Sequence, residues 1–138
     1  MKTLLTSLFL VLIIIPSFGQ SQKLKITTGK TVLYAEFTDS ETTKDFIKML
    51  PLTLNMNDLS GREKYSGISR ELSKNGSVKT SFQKGDISYW LEGGIAVFYN
   101  QDDHEVKAGL IVLAKIEKGI EIFKESDSMQ VKFEFIQK

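Results

Sequence analysis

Apolar residues return at every second position in short runs along most of the chain, and this period of two is what limits the fold most. Leu24 and Ile26 alternate with Lys23, Lys25 and Thr27. Leu33, Ala35 and Phe37 repeat the pattern after a Gly29-Lys30 turn, so the two runs read as a hairpin. Leu52, Leu54 and Met56 alternate with Thr53, Asn55 and Asn57, and Val131, Phe133 and Phe135 form a last run. Gly109 to Ile116 is apolar enough for a strand buried on both sides. One segment breaks the pattern: Thr43, Phe46, Ile47 and Leu50 recur at helical spacing behind Asp39 or Ser40, either of which is a good N-cap. Pro51 ends that helix, because the residue before a proline is pushed out of the α region. Between Asp58 and Lys84 polar residues dominate, with one or two short strands expected around Tyr65 to Leu72 and a turn at Asn75-Gly76. Glu117 to Glu125 reads as a short helix or as irregular chain. Seven or so short strands with one clear helix leave many sheet edges to hide, so a mainly β fold, closed as a small barrel or doubled as a sandwich, is expected.

The stretch from Lys84 to Asn100, KGDISYWLEGGIAVFYN, carries two apolar runs joined at Gly93 and Gly94. With those glycines as a two-residue turn, Trp90 lies opposite Val97 and Tyr89 opposite Phe98. One face is then Ile87, Tyr89, Leu91, Ala96 and Phe98, an uncharged core face. The other is Ser88, Trp90, Glu92, Ile95, Val97 and Tyr99, and its tryptophan and tyrosine are residues favoured at binding surfaces. Either the helix from Thr43 to Leu50 packs across that second face, or the face stays open to a ligand.

Residues 1–19 read as a secretory signal peptide, with an uncleaved anchor as the alternative: Lys2, an apolar run from Leu8 to Ile15, and small Ser17 and Gly19 ahead of a cleavage point after Gly19. The apolar run is shorter than the ~20 residues that cross a membrane, so no membrane insertion is expected once the leader is cut, and the product is periplasmic or secreted. Residues 20–138 form one domain. They hold 17 basic and 17 acidic side chains, a balance that argues against nucleic acid or an anionic membrane as the main partner. An exported chain without cysteine has no disulfides, so its stability rests on a packed core.

Few catalytic constellations are available. The single histidine, His104, sits in the run QDDHE and reads as part of a solvated hairpin loop, so a three-histidine zinc site is out of reach, and the same residue would have to serve any Ser-His-Asp arrangement, for which no G-x-S-x-G elbow presents a serine. No phosphate-binding glycine loop is present, and no cofactor or metal is expected. Glu63 and Asp86 beside glycine turns are the most suggestive pair of carboxylates for acid and base work. Arg62 and Arg70 are the only arginines, and either guanidinium offers a fixed donor fork for a carboxylate or peptide carbonyl.

Taken in order, TDSETTKDFIKMLPLTLNMNDLSGREK, RELS, KGDISYW, GGIAVFYN and AGLIVLAKIEKGIE resemble segments of the bacterial single-domain cyclophilin-like family. The resemblance runs from Lys25 to about Ile122 and implies a small closed β-barrel with one or two short helices. Cyclophilins proper are peptidyl-prolyl isomerases that use an arginine in an F-H-R strand beside an aromatic pocket, and no F-H-R stretch occurs here. The expected function is therefore a secreted domain that binds a peptide or small ligand without catalysis, in a groove between the hairpin and the Arg62 to Arg70 segment. Arg62, Glu63, Arg70, Trp90, Phe98 and Tyr99 are its expected ligand-binding residues. The alternative is a weak prolyl isomerase in which Arg62 or Arg70 supplies the donor and Trp90, Phe98 or Tyr99 forms the pocket.

Overall fold

The computed structural model describes residues 21–137, together with Val11 and Ile13. The leader expected over residues 1–19 otherwise lies outside the described residues. The first two runs form the expected hairpin, β1 (Gln22–Thr28) with β2 (Thr31–Phe37). The helix follows as α1 (Glu41–Lys48), and Ser40 is its cap: the Thr43 N–H donates to Ser40 Oγ at 3.0 Å. The Leu50-Pro51 bond is cis, and β3 (Leu52–Leu59) begins at once.

The polar middle holds one regular strand and a fragment: β4 (Glu63–Gly67), earlier in the chain than expected, and the two-residue β5 (Val78–Lys79). β6 (Asp86–Trp90), β7 (Gly94–Phe98), β8 (Leu110–Ile116) and β9 (Ser128–Gln137) complete the sheet, and a 3₁₀ helix spans Ile120–Lys124 before β9. Eight strands pair antiparallel in the order β2-β1-β9-β3-β4-β7-β6-β8, and β8 returns to β2 to close a barrel. β5 adds to the free edge of β8 beyond the seam. Closure removes the exposed edges that so many short strands would otherwise present.

The alternating residues read from the sequence fill the barrel. Leu24, Ile26, Leu33, Ala35, Leu54, Met56, Val131 and Phe133 are buried in one cluster. The two mouths are closed by different elements. At the end where β2 leaves the sheet, α1 sets Phe46 edge-on to Phe133, with ring centroids 6.1 Å apart. At the other end the 3₁₀ helix contributes Ile120 and Phe123 to the same cluster.

The β6–β7 hairpin departs from expectation. Tyr89 pairs with Ile95 and Trp90 with Gly94, so the loop is the three residues Leu91 to Gly93. Gly93 takes φ +107°, and its N–H donates to the Trp90 carbonyl at 2.8 Å. A glycine with positive φ at the end of a three-residue loop is a common alternative to the two-residue turn. The register moves by three, an odd number, so β7 shows its opposite face. Ile95, Val97 and Tyr99 therefore join Ile87 and Tyr89 inside the barrel. Ala96 and Phe98, expected in the core with Tyr89, lie on the outer face in a second apolar cluster with Phe82, Val106 and Leu110. The cover of that outer face is correspondingly the chain on either side of the hairpin, through Phe82 and Val106, and not α1.

Candidate functional site

β4 carries charge on both of its faces. Period-two alternation turns Lys64 into the barrel, opposite Val97, and Glu63 outward, opposite Phe98. Lys64 is 1% exposed and bonds Asp58 Oδ1 at 2.8 Å. Its ammonium also lies 4.5 Å from the centre of the Tyr99 ring, whose hydroxyl donates to the same Asp58 oxygen. Burial pushes the Asp58 carboxyl up, but Lys64, Tyr99 and the Gly61 N–H together overcome it and hold the group below the usual carboxylate range. The Tyr99 hydroxyl is raised well above the ordinary phenol value by burial and by that hydrogen bond. Asp58 and Lys64 were not singled out from the sequence. A lysine at the in-facing position of a strand was the available signal.

On the outer side, Arg62 Nε donates to Glu63 Oε2 at 3.1 Å and its terminal nitrogen lies 3.6 Å from Asp102. Glu63 is fully buried, and burial pushes its carboxyl up against the opposing pull of Arg62. Its other oxygen has no hydrogen-bond partner among the described residues. The Arg62 carbonyl accepts the N–H groups of Tyr99 and Asn100. β4 and β7 are thus hydrogen-bonded neighbours in one sheet, and the segments expected to wall a groove lie side by side instead.

The six expected residues fall into two groups at opposite ends of β4, which spans about 13 Å. Arg62, Glu63, Phe98 and Tyr99 gather at the end closed by the 3₁₀ helix. Phe98 stacks on Phe82, with centroids 4.2 Å apart, and Tyr99 is 5% exposed, so neither offers a free aromatic face. Trp90 lies at the α1 end, half-buried and edge-on to Tyr65 at 5.6 Å. Arg70, beyond the end of β4, is also at the α1 end. It is exposed and lines a cleft of about 150 Å³ with Asp45, Lys48, Glu71 and Leu72.

That cleft is built by the chain after β4 lying along α1. The Ser73 N–H donates to Asp45 Oδ2 at 2.7 Å, the Thr42 hydroxyl to the Ser73 carbonyl, and the Leu72 N–H to the buried Tyr89 hydroxyl. Asp45 and Lys48 stand 3.9 Å apart. Arg70 makes no ion pair or side-chain hydrogen bond among the described residues, in contrast to Arg62. Larger clefts of about 300 Å³ at Phe37 to Ile47 and about 330 Å³ at Val32 to Tyr34 and Glu117 to Gly119 touch none of the six expected residues. His104 is exposed, and its backbone N–H donates to Asp102. No group of three or more His, Asp or Glu among the described residues is placed to hold a metal ion.

The architecture and the order of the segments agree with one family, whose model, described as the cyclophilin-like family, matches residues 26–134. The chain belongs to the cyclophilin-like family. Among solved structures, this cyclophilin-like domain is similar to a hypothetical protein from Archaeoglobus fulgidus determined in solution. The two are 18% identical with a TM-score of 0.61, over 87% of this chain and 98% of the other. At that identity the likeness concerns the fold alone. No curated protein matches the chain.

Proposed function

We propose that this cyclophilin-like domain is an exported, non-catalytic binding module that holds the carboxylate of a peptide or small molecule at Arg70. The observation that carries this reading is the Arg70 guanidinium in the cleft against α1, which has no ion-pair or hydrogen-bond partner among the described residues. A guanidinium fork binds a carboxylate through two parallel bonds, and an arginine already engaged by protein carboxylates has less to offer. Lys48 adds a second positive charge at the rim, while Asp45 and Glu71 supply acceptors for a ligand ammonium or N–H. The barrel interior is packed with side chains, which favours binding on the surface.

The same geometry favours binding over isomerisation. Arg62 is shared by two carboxylates, Phe98 is covered by Phe82, and Tyr99 is committed to Asp58. Among the described residues, none of these candidate donors meets a free aromatic pocket. Titration calorimetry with a tripeptide in its free-acid and C-terminally amidated forms tests the reading. The free acid is expected to bind at least about tenfold more tightly than the amide, and Arg70→Ala to abolish that difference. Equal binding of acid and amide, or an unchanged preference in Arg70→Ala, would overturn it. Export is tested by N-terminal sequencing of the protein from the periplasm or medium of its host, with Gln20 expected as the first residue.

A further inference from the structure

The outer face of β4, β7 and β6 supports an apolar layer outside the barrel wall. Ala96, Phe98 and Leu110 are buried there with Phe82 and Val106, and Tyr65 and Trp90 pack at its margin. Residues 100–109 lie over it as a strap with no helix or strand. Residues 100–105 and Lys107 are exposed, while Val106 is 2% exposed. The ends of the strap are tied to the barrel: the Asn100 N–H and side-chain amide donate to the Arg62 and Gly61 carbonyls, and the Gly109 carbonyl accepts the Leu91 N–H. Between them three contacts hold it down: the Val106 N–H donates to the Thr80 carbonyl at 2.8 Å, the Gln101 side chain bridges the Lys84 N–H and the Phe82 carbonyl, and Asp102 meets Arg62. A segment with so little buried surface opens at far lower cost than the whole domain.

The strap fills the apolar part of the layer but leaves polar groups unmet. Glu63 lies opposite Phe98 and Ser88 opposite Ala96, so both share the outer face with the layer. Glu63 Oε1 and Ser88 Oγ are buried there without hydrogen-bond partners among the described residues. Buried polar atoms without partners carry a desolvation cost that a better-fitting occupant would relieve.

We propose that this layer is a covered binding surface for an extended peptide in which an aliphatic side chain follows a run of acidic ones, and that residues 100–109 occupy it as an internal mimic of that ligand. The seat of Val106 among Phe82, Phe98 and Leu110 takes the aliphatic side chain. Arg62, already bonded to Glu63, takes a second carboxylate where Asp102 now sits. Glu63 Oε1 and Ser88 Oγ accept backbone N–H donors from the incoming chain. This site is independent of the Arg70 cleft, which lies beyond the other end of β4.

Trp90, the only tryptophan, stands at the margin of the layer and reports on it. The probe is an acetylated, amidated peptide with the sequence of residues 100–109, added to the wild type and to Asp102→Asn/Val106→Ala, which loosens the strap at two of its contacts. Apparent affinity scales with the fraction of uncovered surface, so the double variant is expected to bind the peptide at least about tenfold more tightly, with a shift in Trp90 emission. A Val106→Asp version of the peptide is expected not to bind, and an added Arg70→Ala change to alter nothing. The proposal is overturned if the folded double variant does not bind the peptide, binds it no better than the wild type, or binds the Val106→Asp peptide equally well. Should the double variant not fold, Asp102→Asn at its exposed position decides, with about a threefold gain expected and no gain overturning the proposal.

Discussion

At the scale of single residues, the ion pair inside the barrel mouth carries most of the unusual electrostatics. Lys64 is almost wholly buried and paired with Asp58, so Asp58→Ala leaves an uncompensated ammonium in the core. The expected loss is about 3 kcal/mol, the low end for a broken buried pair because Asp58 reaches solvent, measured by urea unfolding at neutral pH. The folded-state carboxyl of Asp58 is held below its unfolded value near 3.8, so its contribution is present above that pH and is lost as the pH falls through the lower folded value. The wild type should therefore lose stability below about pH 4, and Asp58→Asn should lack that part of the acid limb. A urea midpoint falling equally steeply in both proteins would remove Asp58 as its source.

At the scale of elements, the β6–β7 hairpin shows where local reading stops. Its two apolar runs are plain in the sequence, and the two glycines mark the bend. Two or three loop residues both suit Gly93-Gly94, however, and the choice decides which face of β7 enters the barrel. Packing made the choice: a β-carbon on Gly94 would stand 2.2 to 2.3 Å from the phenol end of Tyr65, so the tyrosine packs against the bare backbone at that register. Gly94→Ala is expected to drive Tyr65 off β7, cost about 1–3 kcal/mol and change Trp90 emission, since Trp90 rests on Tyr65. In a Tyr65→Ala background the same substitution should cost much less, a coupling that a double-mutant cycle reads directly. Additive losses would place the strain elsewhere. The start of α1, by contrast, was legible from the sequence to within Asp39 or Ser40, and Ser40 is the cap because it bonds the Thr43 N–H within one turn and needs no distant partner.

At the scale of the whole molecule, the barrel is held shut by a plug as well as by its seam. Phe46 is fully buried and meets Phe133 of β9, tying α1 to strands distant in sequence. Phe46→Ala is expected to cost about 3–5 kcal/mol in equilibrium unfolding, and Phe46→Leu clearly less, because volume is largely kept. A loss below 1 kcal/mol on truncation would mean that the mouth collapses to fill the space.

What the sequence determined by itself is whatever depends on neighbours in the chain. The alternation of apolar residues set the strands and most of the core, Ser40 and Pro51 bounded the helix, and the number of short strands called for closure. The order of its segments also marked the family. What only the tertiary structure decided is what depends on partners distant in the chain. Arg62 and Arg70 look alike in sequence, yet one is shared by Glu63 and Asp102 and the other lines a cleft with no ion-pair partner among the described residues. Phe98 and Tyr99 are adjacent, yet one faces out under the strap and the other inward onto Lys64. Strand pairing and loop length fix those directions, and both are settled by packing across the barrel, which no local pattern encodes.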